Sequence, residues 1–190
     1  MKNKIKIIKE DTLCRQKYHL KKVTYEIENR KGELKELSRE VFDKGDGATI
    51  LLFNKEKKTV LLTRQFRLPT FLNGNTSGML IEACAGVLDE DDPLVCAIRE
   101  SQEEMGYEPK NVKKIFELYI SPGAVTEILH FFIGEYDEHL RTGEGGGLEE
   151  ENEEIEILEL TYEEAFKMVD RGEIKDGKTV ILLQYLKNNL

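Results

Sequence analysis

Three glutamates, Glu100, Glu103 and Glu104, stand close together in the string Arg99-Glu-Ser-Gln-Glu-Glu-Met-Gly106. Their type and spacing fit a divalent-metal site that faces a diphosphate. On a helix of 3.6 residues per turn, Glu104 lies about 40° and Glu103 about 60° to either side of Glu100, so all three carboxylates share one face. Like charges placed this way repel, at roughly 0.2–0.5 kcal/mol per pair, and hard cations such as Mg²⁺ turn that cost into a gain because they prefer carboxylate oxygens. The plainer alternative is a solvated acidic face braced by an Arg99–Glu103 pair at i, i+4 spacing.

The element that positions these groups has both ends written in the chain. Asp92 is a good N-cap, Pro93 suits the first helical position and Gly106 suits the left-handed residue that ends a helix. Val95, Ile98 and Met105 fall on the other side, which predicts an apolar face to bury and an acidic face to present. Strands are expected near residues 48–53, 59–66, 79–83, 112–120, 128–136 and 155–160, interleaved with this helix and two later ones. Thr161-Tyr-Glu-Glu164 reads as a capping box opening the penultimate helix, and Asp176-Gly177 precedes the last, whose Val180, Leu183 and Leu186 make an apolar stripe. Residues from about 3 to 45 alternate polar and apolar positions, with a turn signal at Asn29-Arg-Lys-Gly32 between two expected strands. This small antiparallel β extension has too few apolar residues to stand alone, so it must pack on the main domain or on a second subunit. The expected division is therefore 1–45 as the extension and 46–190 as the main domain.

Composition narrows the class. The chain has 190 residues, 39% of them hydrophobic and 8% aromatic, enough to bury a full core as a soluble globular protein. A net charge of −9 argues against nucleic acid and, concentrated in two acidic segments, says more about cations. Three cysteines, an odd number without paired spacing, suit reduced thiols in a cytoplasm. The N-terminus lacks the apolar stretch of a signal peptide, and no run is long enough to span a bilayer. The three histidines have no metal-ligand spacing, and neither a Walker phosphate loop nor a nucleophile elbow is present.

With Ala85-Gly86 in front and Gly106-Tyr107 behind, the segment resembles the Nudix box, the loop-helix signature of enzymes that hydrolyse nucleoside diphosphates linked to another group. Asp92 stands in place of the pattern's first Glu and Ser101 in place of an apolar residue, while the helix glutamates match. Within that family the resemblance runs on to the subgroup acting on GDP-mannose, with ADP-ribose and other nucleotide-sugar pyrophosphatases as near relatives. It is carried by Arg64-Gln-Phe-Arg67, Ser121-Pro-Gly-Ala-Val-Thr-Glu127, the acidic loop Gly145-Gly-Gly-Leu-Glu-Glu-Glu-Asn-Glu-Glu154, and Gly172-Glu-Ile-Lys-Asp-Gly-Lys178.

The resemblance implies a Nudix-type α/β/α sandwich of mixed sheets and a metal site of Glu100, Glu104, the Ala85 carbonyl and Glu153, holding Mg²⁺ (or Mn²⁺). It implies Glu151 as the base, with Glu103 as the alternative. It also implies substrate contacts from Arg67, Ala85, Gly86 and Val87, from Glu104, Glu127 and Asn152, and from Lys178. In resembling enzymes the N-terminal strands build a homodimer, which would bring Arg39 and Glu40 to the partner's substrate. The expected reaction is GDP-mannose to GMP and mannose 1-phosphate. Alternatives are the same chemistry on ADP-ribose or an ADP-sugar, and a Nudix-fold binding module without activity.

Overall fold

A computed structural model describes residues 5–148 and 154–189. By internal contact the chain divides into two units, Met1–Asp46 with Tyr119–Ile128, and Gly47–Leu118 with Leu129–Leu190.

The first unit holds three antiparallel strands, β1 (Ile5–Arg15), β2 (His19–Glu28) and β3 (Leu34–Asp43), in that order across the sheet. The expected turn at Asn29 is present. The Asn29 side-chain oxygen accepts from the amides of Lys31 and Glu33, and Gly32 takes a φ of +80°. Three strands form where two were expected, because a second turn at Gln16–Tyr18 reverses the chain without Gly, Pro or Asn to announce it. Beyond the sheet, the loop from Ser121 to Glu127 is held to the end of β3: the Phe42 amide donates to the Ala124 carbonyl at 2.7 Å and the Thr126 amide to the Phe42 carbonyl at 3.1 Å. Among the described residues, no hydrophobic side chain of this unit is buried, and Ile5, Ile7, Ile8 and Leu13 of the edge strand β1 are exposed.

The second unit is built on β4 (Gly47–Asn54), β5 (Thr59–Phe66), β6 (Met79–Glu82), β7 (Cys84–Val87), β8 (Lys110–Tyr119), β9 (Ile128–Glu135) and β10 (Glu156–Thr161). They form one mixed sheet in the order β10-β5-β4-β9-β8, with β6 beside β5 and β7 beside β4. β4 runs parallel to β9 and antiparallel to β5 and β7. The expected strand over 79–83 is β6, and beyond Ala83 a further short strand, β7, which was not expected, carries the glycine of the box.

Alternation along β4 creates the layers. Leu51 and Phe53 join Val60 and Leu62 in a core closed by Tyr162 and Ala165 of α3 (Tyr162–Asp170) and Leu182, Leu183 and Leu186 of α4 (Gly177–Asn189). Ala48, Ile50 and Leu52 face the other way, with Cys96, Ala97 and Met105 of α2 (Pro93–Met105). The result is the α/β/α arrangement expected from the sequence. A short helix, α1 (Leu68–Leu72), follows β5. Thr161 caps α3 by accepting from the Glu164 amide, but the Glu164 carboxylate pairs with Arg171, so the capping box is half used. Among the described residues, no helix is long and apolar enough to cross a membrane.

Candidate active site

Helix α2 begins and ends where its sequence places it. Asp92 accepts from the Leu94 amide at 2.9 Å, Pro93 opens the first turn, and Gly106 takes φ +76° with its amide bonded to the Gln102 carbonyl. A Cβ on Gly106 would run into the backbone oxygen of Gly143, so both conformation and space require glycine there.

The buried face of the helix differs from the expected one. Val95 is 54% exposed, whereas Cys96, Ala97, Ser101, Glu104 and Met105 are buried. Ala97, Ser101, Glu104 and Met105 follow one stripe at i, i+4, i+7 and i+8, so the packed stripe carries a carboxylate inward. Ser101, which stands where the Nudix pattern has an apolar residue, satisfies itself by donating to the Ile98 carbonyl at 2.8 Å.

Strand β7 holds Ala85, Gly86 and Val87 opposite Thr49, Ala48 and Gly47 of β4, and the Thr49 hydroxyl donates to the Cys84 carbonyl at 2.9 Å. Gly86 is required by close approach: a Cβ built there would overlap the Glu100 carboxylate. Glu100 therefore lies directly on the strand that bears the Ala85 carbonyl. Glu104 is 3% exposed, and Cys84 beneath it is wholly buried. Burial, then the charges of Glu104 and Glu100, push the Cys84 thiol far up and keep it protonated beside Glu104. Cys96, pushed up to about 11 mainly by burial, is inert for the same reason, and neither thiol forms a disulfide.

Arg99 organises the remaining charge. One Nη lies 2.9 Å from both Glu100 and Glu103, and Nε lies 3.3 Å from Asp91. Burial opposes its charge, but Glu100 and Glu103 outweigh burial and hold it firmly protonated. The acidic partner of Arg99 in the loop is thus Asp91, which leaves Asp92 to cap the helix. Glu103, expected as an alternative base, is engaged in this pair.

The glycine-rich segment reads by composition as a solvated loop. Its glycine half is instead docked on the end of α2: the Gly146 amide donates to the Glu104 carbonyl at 2.9 Å and the Gly147 amide to the Glu103 carbonyl at 3.2 Å. The segment then leads to Glu151, Asn152 and Glu153, which lie outside the described residues. Among the described residues, no three His, Cys, Asp or Glu side chains converge on one metal position. Glu100, seated over Gly86, with Glu104 one turn further along α2 and the Ala85 carbonyl on β7, offers oxygen atoms only, the donor type a hard divalent cation accepts.

A second cluster in the same unit joins residues distant in sequence. Arg67, at the start of α1, donates through Nε to Glu82 Oε2 at 2.6 Å, and Lys178, in the first turn of α4, places Nζ 2.6 Å from Glu82 Oε1 and 3.1 Å from Asp176. Lys178, which by position alone reads as a solvated lysine, is only 13% exposed along its side chain. Burial pulls its charge down, but Glu82 and Asp176 together raise its pKa above the ordinary lysine value. Glu82 itself was missed by sequence reasoning. The one available signal was an acidic residue ending the otherwise apolar run Met79-Leu-Ile-Glu82. Arg64, by contrast, forms an exposed pair with Glu156 across β5 and β10.

In the first unit, Glu127 is buried and paired with Lys44 at 2.6 Å, a partner that sequence reading also missed. Arg39 and Glu40, on β3, line a hollow of about 580 Å³ with Tyr25, Tyr119 and the loop from Pro122 to Thr126. The structure thus gathers Ala85, Gly86, Val87, Glu100, Glu103 and Glu104 around α2 and joins Arg67 to Lys178. Arg39, Glu40 and Glu127 belong to the other unit.

Comparison with known proteins agrees with this architecture along the whole chain. Residues 43–183 match the NUDIX domain, and residues 4–42 match the GDP-mannose pyrophosphatase NudK N-terminal domain. A GDP-mannose pyrophosphatase of Salmonella paratyphi B is 54% identical over 189 residues, covering 100% of this chain and 98% of its own length. Proteins of the same name from Salmonella typhimurium and Escherichia coli K12 are 53% and 52% identical over the same coverage. On the matched domain and these full-length relatives, the chain belongs to the Nudix family.

Proposed function

We propose that this protein is a nucleotide-sugar pyrophosphatase that hydrolyses GDP-mannose to GMP and mannose 1-phosphate with Mg²⁺, as a homodimer in the cytoplasm. The observation that carries the reading is the seating of Glu100 over Gly86 beside the buried Glu104, in a chain whose full-length relatives are named GDP-mannose pyrophosphatase.

Glu100, Glu104, the Ala85 carbonyl and Glu153 would hold the ions, which when bound would neutralise the diphosphate and acidify a water. The chain's own groups do the rest. Arg67 takes a non-bridging phosphate oxygen through its guanidinium, and Lys178 adds a second positive charge. Val87 and Asn152 line the same substrate. Glu151 removes the proton from the attacking water, and the water oxygen bonds to one phosphorus while the bridging oxygen leaves with the other. Arg99 holds Glu100 and Glu103 at fixed spacing, which favours the loop glutamate over Glu103 as base.

The hollow beside Arg39 and Glu40 has the size of a nucleoside site, and Tyr25 and Tyr119 supply flat apolar walls. Glu127, held by Lys44 in the same unit, serves as a further substrate contact. Supporting a dimer is the N-terminal sheet, in which among the described residues no hydrophobic side chain is buried and the edge strand exposes Ile5, Ile7, Ile8 and Leu13, a surface a second copy would cover.

The test is Mg²⁺-dependent release of nucleoside monophosphate from GDP-mannose, GDP-glucose, ADP-ribose and ADP-glucose. GDP-mannose is expected to give the highest kcat/KM. Preference for ADP-ribose would keep the chemistry and replace the substrate, and no turnover of any of the four would contradict the reading.

A further inference from the structure

We propose that Glu82 is a positioning residue that aims the Arg67 guanidinium at the substrate and ties it to the start of α4, an inference that rests on the reading of Arg67 as a phosphate ligand given above. Glu82 is 4% exposed, and a carboxylate so buried persists only when its oxygens are matched by cations or donors. Each oxygen here has one: Oε2 takes Arg67 Nε and Oε1 takes Lys178 Nζ, both at 2.6 Å. The four charged groups Arg67, Lys178, Glu82 and Asp176 sum to zero, so the cluster holds two cations in place without surplus charge.

The way Arg67 is held matters more than the pairing itself. Glu82 occupies Nε, and among the described residues neither Nη group of Arg67 has a hydrogen bond or an ion pair. The side chain is 39% exposed. A guanidinium fixed at Nε presents its two remaining NH₂ groups as a fork in one plane, the geometry that binds a phosphate through two parallel bonds. Without Glu82 the same side chain keeps its charge but loses the direction of the fork.

The anchor is itself fixed. Asp176 accepts from the Thr179 amide and hydroxyl, and the Thr179 hydroxyl oxygen accepts from the Ala83 amide at 2.6 Å. The residue following Glu82 is thereby bound to the first turn of α4, which also supplies Lys178. Strand β6, helix α4 and Arg67 therefore share one hydrogen-bonded frame, and Arg67 cannot turn without disturbing it.

The experiment compares steady-state kinetics on GDP-mannose for wild type, Glu82→Gln, Arg67→Ala and the double variant, each checked by thermal unfolding. Glu82→Gln and Arg67→Ala should each lower kcat/KM about 10- to 100-fold, the scale of a misplaced binding group. They should divide that loss between KM and kcat in the same way, and the double variant should lie within about twofold of Arg67→Ala, since residues acting as one unit are not additive. Glu82→Asp keeps the charge, shortens the reach by one methylene and should fall between wild type and Glu82→Gln. It also keeps the test open if Glu82→Gln does not fold, because wild-type kinetics in Glu82→Asp would then overturn the proposal. Losses that multiply in the double variant, or a Glu82→Gln enzyme with wild-type kinetics beside an impaired Arg67→Ala, would overturn the positioning role alone. An unimpaired Arg67→Ala would remove Arg67 from the substrate and this inference with it.

Discussion

The two units of this chain hold their charged residues under opposite conditions. In the second unit the carboxylates sit on a packed core: Glu104 of α2 and Glu82 of β6 are buried, and Arg99 gathers Asp91, Glu100 and Glu103. In the N-terminal unit, no hydrophobic side chain is buried among the described residues, and its edge strand offers isoleucines to solvent. A core holds catalytic groups at fixed positions at the cost of burying charge, whereas a sheet without a core is free to lend residues to another surface. The first arrangement suits the proposed chemistry and the second the proposed dimer.

That contrast breaks first at Gly86. Replacing it with alanine puts a Cβ into the Glu100 carboxylate, and because the obstructed atoms end a movable side chain, the protein should yield by displacing them. Activity should fall about 10- to 100-fold while the melting temperature changes little. A variant that loses stability but keeps activity would separate Glu100 from the reaction.

The assembly half of the contrast is tested by size. The full chain should elute at about twice its 21.9 kDa mass, and a version lacking residues 1–45 should lose that dimer. A monomeric full-length protein would contradict it.

Gly106→Ala imposes a left-handed conformation on a side chain that also meets the Gly143 oxygen, so a cost of about 1–2 kcal/mol or more is expected, measurable as a drop of roughly 2–8 °C in Tm. Arg64→Ala removes an exposed pair with Glu156 and should change stability by less than about 1 kcal/mol and activity by less than about twofold. If Arg64→Ala were as damaging as Arg67→Ala, the distinction between the two arginines would fail.

The parts of this architecture that were legible in the sequence are those encoded by neighbours along the chain. Asp92-Pro93 and Gly106 mark the helix ends by local backbone chemistry, and Thr161 and Asp176 do the same for α3 and α4. What escaped depends on partners far away. Glu82 meets Arg67 and Lys178 from positions 15 and 96 residues distant, and no local pattern announces such a meeting. The burial of Glu104 and the exposure of Val95 were hidden for a related reason, since hydropathy alone assigns a carboxylate to solvent and a valine to the core. The third N-terminal strand was missed because its turn lacks the usual turn residues, and β7 because four residues carry too little periodicity to read.

The proposed reaction rests on Glu104, buried in α2, and on Glu100 beside it, acting through a divalent cation. Its most direct test is a Mg²⁺ titration of GMP release from GDP-mannose by the wild type and by Glu104→Gln. The account predicts saturable Mg²⁺ dependence in the wild type, no turnover after chelation, and a loss of about a hundred-fold or more in the variant. Equal activity of the two proteins at every Mg²⁺ concentration would contradict it.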